Sequence, residues 1–192
     1  LMISSTIKEF IMYLYGENLE DELILMISWL SLTLFCIIGG FWLLDSLKDT
    51  VFATLVGIQY QPRAKLLSVL FTLLLTLIYN SLIDRVRKPT LFYIVGYSYA
   101  SLFLGIAYFL ADDNIGINNK ESSPYRVLGW ISYLAIESYG SLAVAMFWAF
   151  TNSSIHLEGA KSVYGLILAG AQIGAIIGST VATSTHNLHL PT

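Results

Sequence analysis

Four charged residues, Asp45, Lys48, Asp49 and Glu137, stand within or at the end of apolar stretches of this chain, and their types suit the handling of a charged solute. Lys48 and Asp49 fall in Leu43-Leu44-Asp45-Ser46-Leu47-Lys48-Asp49-Thr50, with an apolar run before it and Val51-Phe52-Ala53-Thr54-Leu55-Val56 after it. Glu137 is the single charge between Arg126 and Glu158. A charge held in hydrocarbon costs from about 2.5 to more than 10 kcal/mol, so such residues are kept where they serve a site. A lysine in a low-dielectric cavity favours an anionic partner. A carboxylate beside hydroxyls pairs with a cation or takes a proton. On a helix, Tyr133, Gly140 and Ser141 share the face of Glu137, at i−4, i+3 and i+4.

Two placements of residues 45–50 satisfy the sequence. If the crossing segment is 23–44, the charges sit among headgroups, where lysine snorkels. If it is roughly 34–56, Lys48 faces a polar cavity inside the membrane. Asp45 lies three residues before Lys48, so a local ion pair softens either placement. For Glu137 the alternative to a functional role is a protonated side chain packed in the bundle or a carboxyl reaching the interface.

The elements that must position these residues are membrane helices. Residues 23–44, 66–83, 90–111, about 127–157 and 162–183 are each long and apolar enough to cross a bilayer, for which about 20 residues suffice. The runs are continuous rather than alternating, which argues against a β-barrel. The expected fold is therefore all-α, a polytopic bundle of about five transmembrane helices. Three regions follow: a tail over 1–22 with an acidic amphipathic stretch suited to docking on protein, the membrane domain over 23–183, and a short tail over 184–192. Pro89 suits the first turn of the third helix, and 112–126 carries loop signals throughout. Gly170, Gly174 and Gly178 form a small-xxx-small series of the kind that lets helices approach closely.

Composition agrees. Of 192 residues, 56% are hydrophobic and only 12% charged, with a mean hydropathy of +0.68; soluble domains carry roughly 25% charged residues. The net charge of −3 gives no basic excess for nucleic acid. A single cysteine, Cys36, excludes an intrachain disulfide, and a lipid-facing or packing thiol is its expected role. His156, His186 and His189 form no metal pattern, and no phosphate loop, nucleophile elbow or zinc motif occurs. No enzyme activity and no cofactor are expected.

At these same residues the chain resembles a known family. Leu47-Lys48-Asp49-Thr50 is similar to the Leu-Lys-Asp-Thr signature of the plastid and bacterial-parasite ATP/ADP translocases, nucleotide transporters related to the major facilitator superfamily. Glu137-Ser138-Tyr139-Gly140-Ser141, followed by Phe147-Trp148-Ala149-Phe150-Thr151-Asn152, resembles that family's fourth helix, where Glu-Leu-Trp-Gly-Ser leads into Phe-Trp-Gly-Phe-Ala-Asn. Lys161 and Tyr164-Gly165 resemble the fifth. Asp84-Arg85-Val86-Arg87-Lys88 is similar to the facilitator loop between helices two and three, without its glycine.

The resemblance runs from about 25 to 183 and implies an N-terminal part of a transporter built from two six-helix halves. It implies an ATP/ADP antiporter in which Lys48, near the substrate phosphates, and Glu137 are needed for exchange; Asp49 beside the lysine, and Tyr133 and Ser141 on the face of Glu137, complete the expected substrate site. An organelle inner membrane (plastid or mitochondrial) or a bacterial inner membrane is the expected location. Partners would be the nucleotide, membrane lipids, and a second transporter half or other membrane subunits. Alternating access needs both halves, and five helices supply less than one. The chain is expected to be a fragment, to assemble with another chain, or to serve as a non-transporting structural subunit of a larger membrane complex.

Overall fold

In the computed structural model, residues 21–154 and 160–187 are described. They form α1 (Asp21–Leu55), a 3-10 turn (Ile58–Tyr60), α2 (Gln61–Ile83), α3 (Lys88–Leu110), α4 (Val127–Ser154) and α5 (Ala160–Asn187), with no strand among the described residues. All five long helices are apolar enough to cross a membrane, which makes this a multi-pass integral membrane protein. The amphipathic stretch expected within residues 3–22 lies almost entirely outside the described residues.

One continuous helix takes in both placements of residues 45–50. α1 has 35 residues, about 52 Å at the α-helical rise, against a hydrocarbon thickness of about 30 Å. Lys48 lies about 10 Å, and Glu137 about 15 Å, from the ends of their helices on the side where α1 meets α2. Gly57, at φ 111°, makes the turn there, a conformation that a side chain would strain. Pro62 and Pro89 occupy the first turns of α2 and α3, where the missing N–H has no helical acceptor to lose.

α4 is the central element. In its most apolar stretch 44% of residues are buried, against 6% in α2, which shows α2 mostly to lipid. α1 and α4 pack through Leu34 and Phe147 toward one end and through Phe52, Val56 and Tyr133 toward the other. α5 lies along α1 with the glycines as the seam. A Cβ on Gly174 would meet the carbonyl of Phe35, and one on Gly178 that of Gly39, so only glycine allows this approach. α2 and α3 both lean on α4 and barely touch each other.

The loop 111–126 is built rather than loose. The Asp112 carboxylate accepts from the N–H groups of Asn114 and Ile115, which holds its carboxyl below the usual carboxylate range. The Arg126 guanidinium donates to the carbonyls of Ile115, Gly116, Asn119 and Glu121. Ser123 N–H caps the Leu55 carbonyl at the end of α1, so this loop fixes the end of the helix that carries Lys48.

Candidate functional site

The site forms where α1 and α4 cross. Lys48 Nζ donates to Asp45 Oδ1 at 2.6 Å and to Glu137 Oε1 at 2.6 Å. The lysine side chain is 7% exposed, while Asp45 and Glu137 are 30% and 31% exposed. Helical angle explains the local half of this pair. Residues three apart lie on one face, so Asp45 reaches Lys48; Asp49 is turned about 100° away, lies exposed, and joins no ion pair among the described residues.

Tyr133 closes the buried side. Its ring centroid lies 5.0 Å from Lys48 Nζ, a cation–π distance. Phe52 packs edge-on against that ring at 5.1 Å and against Trp130 at 5.3 Å, which locks the tyrosine in place. The Tyr133 hydroxyl is buried without a hydrogen-bond partner among the described residues. A neighbouring turn of α4 sets the helix spacing, because Gly140 admits the ring of Phe41 where a Cβ would collide. Tyr99 adds a cross-link from α3, donating to Ser138 Oγ at 2.9 Å.

Glu137 also lines a groove of about 210 Å³ between α2 and α4, together with Ser141, Ser68, Thr72 and Thr76. Ser141 therefore belongs to the groove and not to the ion pair. The structure thus brings Lys48, Glu137 and Tyr133 together, sets Ser141 beside them, and leaves Asp49 outside. Two features went unassigned from sequence: Asp45 as a full member of the cluster, and the α2 hydroxyls. The spacing 68, 72, 76 in a leucine-rich helix was the available signal for the second.

Elsewhere the described residues offer less. Asp84, Arg85, Arg87 and Lys88 form no ion pair and behave as a solvated turn among the described residues. Cys36 is exposed on α1. No cluster of three potential metal ligands occurs among the described residues; His156 and His189 lie outside them, and of His186 only the helical backbone is described.

Two carboxylates around one ammonium leave a formal charge of −1 at the cluster. The arrangement has no nucleophile and base in contact. What it offers is a positive point charge that an anion can win from a carboxylate, and a carboxylate whose remaining lone pairs open onto a hydroxyl-lined groove.

Comparison with known proteins points the same way. The family model for the TLC ATP/ADP transporter matches residues 3–120. ADP,ATP carrier protein 3 of Rickettsia conorii is 27% identical over 171 residues, covering 79% of this chain and 34% of the relative. ADP,ATP carrier protein 4 of Rickettsia prowazekii is 22% identical over 179 residues, covering 83% and 35%. The chain thus spans about a third of the length of the curated relatives it matches. No solved structure matches it.

Proposed function

Because the chain belongs to the TLC ATP/ADP transporter family, we propose that it forms one part of the path of an ATP/ADP exchanger, with Lys48 as a ligand for the nucleotide's phosphates. The relatives are named as carriers and not as enzymes. The observation that carries the reading is the ammonium of Lys48, buried at the α1–α4 crossing and bounded by two carboxylates from different helices.

The charge balance sets the mechanism. A polyphosphate meeting a cluster of formal charge −1 is repelled unless Lys48 changes partners. Asp45 lies on the same helix and moves with Lys48, whereas Glu137 sits on α4. Phosphate therefore takes the place of Glu137, and the α1–α4 ion pair opens while the phosphate is bound. The Tyr133 hydroxyl, buried and unpaired beside this pair, is available to donate to a phosphate oxygen. Asp49 acts on the same site only at longer range. A second transporter half supplies the opposite wall of the cavity, and lipid covers the outer faces of α2 and α3.

Nucleotide exchange in vesicles tests this. Reconstituted with the chains that copurify with it, the protein takes up labelled ADP against internal ATP, and Lys48→Ala abolishes the uptake. Uptake that survives the substitution contradicts the assignment.

A further inference from the structure

The groove between α2 and α4, whose lining Val69 and Leu73 complete, carries a carboxylate and four hydroxyls in a place where lipid would demand none. Leucine is the commonest residue of α2, yet Ser68, Thr72 and Thr76 fall on one side of it and face Glu137 and Ser141 of α4. Ser68 and Thr76 donate their hydroxyl protons to carbonyls of their own helix, at Lys65 and Thr72, so their oxygens face the groove as acceptors. The hydroxyls of Thr72 and Ser141 make no hydrogen bond among the described residues and are free to donate or accept. An acyl chain would leave all of these unused.

We propose that this groove is a ribose subsite, in which Glu137 and the facing hydroxyls hydrogen-bond the sugar's 2′ and 3′ hydroxyls. The proposal rests on the nucleotide reading and deepens it. A carboxylate is an acceptor-only group, with two oxygens suited to a vicinal diol, and its bonds to hydroxyl donors are among the stronger ones. Glu137 serves the ion pair and the groove at once. When phosphate draws Lys48 away, Glu137 loses its donor; the diol then supplies two. Phosphate and sugar thus act together on one residue, each making the other's binding more favourable. Ser141 and Thr72, from opposite walls, orient the ring and are specificity residues.

The test compares ADP with 2′,3′-dideoxy-ADP, by equilibrium binding to the protein purified into nanodiscs together with the chains that copurify with it. The wild type should prefer ADP by about tenfold or more, the loss expected when hydrogen bonds to a charged group go unmade. In the double variant Thr72→Val with Ser141→Ala, that preference should fall at least about threefold, while dideoxy-ADP binds as it does to the wild type. Glu137→Gln, which keeps the shape of the side chain, should reduce the preference further. Equal wild-type affinity for the two nucleotides overturns the ribose subsite and leaves Lys48 as a phosphate ligand. A double variant that weakens both nucleotides equally also overturns it. Failure of the wild type to bind ADP at all removes the nucleotide reading, and this proposal with it.

Discussion

Among the described residues α1 has two main partners and meets them by opposite means. Along α5 the closest contact is backbone against backbone, with Gly174 and Gly178 pressed onto the carbonyls of Phe35 and Gly39. Along α4 it is made by side chains: Phe41 over Gly140, Phe52 over Tyr133, and Lys48 between two carboxylates. The first contact has no adjustable part, since a carbonyl cannot rotate out of the way. The second rests on long side chains and an ion pair that can re-form with another anion. A helix pair meant to hold still and a helix pair meant to yield are therefore built on the same helix.

The comparison breaks most visibly at the seam. Gly178→Val should destabilise the protein by about 3 kcal/mol, at the upper end of overpacking costs, because the clash falls on backbone. Gly40→Ala, whose Cβ would meet open space, should lie within about 0.5 kcal/mol of the wild type. Thermal unfolding in detergent distinguishes them; equal effects would show that the seam is not set by close approach.

A middle-sized effect is expected at the α1–α4 pair. Lys48→Ala leaves two carboxylates facing each other and should cost about 2 kcal/mol, below the figure for a fully buried pair because both are about a third exposed. Adding Glu137→Gln should return part of that loss, since it removes one of the uncompensated charges. A double variant less stable than the sum of the two singles would contradict the charge account.

The smallest effect has the opposite sign. Tyr133→Phe removes a buried hydroxyl that has no partner, so it should stabilise the resting protein by about 1 kcal/mol. The same change should weaken ADP binding, a trade expected where a site keeps a polar group for its ligand. Destabilisation would show that the hydroxyl has a partner in the resting state.

Much of this was legible in the residues. Five helices followed from uninterrupted apolar runs, and the packing role of Gly170, Gly174 and Gly178 from their spacing of four. The Asp45–Lys48 pair followed from helical geometry. Composition is the same for Lys48 at the membrane edge or inside it, and it does not show that the lysine meets Glu137, 89 residues away. Asp49 neighbours Lys48 in the motif, yet adjacency in sequence separates side chains on a helix. The α2 hydroxyls went unnoticed because serine and threonine in a membrane helix often bond only their own backbone, as Ser68 and Thr76 do. Their meaning comes from what they face.

If Lys48 exchanges Glu137 for phosphate, the protein must tell ADP from adenosine through that lysine. Equilibrium binding of both should be measured on the wild type and on Lys48→Ala. The account predicts that the substitution lowers ADP affinity to about that of adenosine and leaves adenosine binding unchanged. A fall in both affinities together, or in neither, would contradict it.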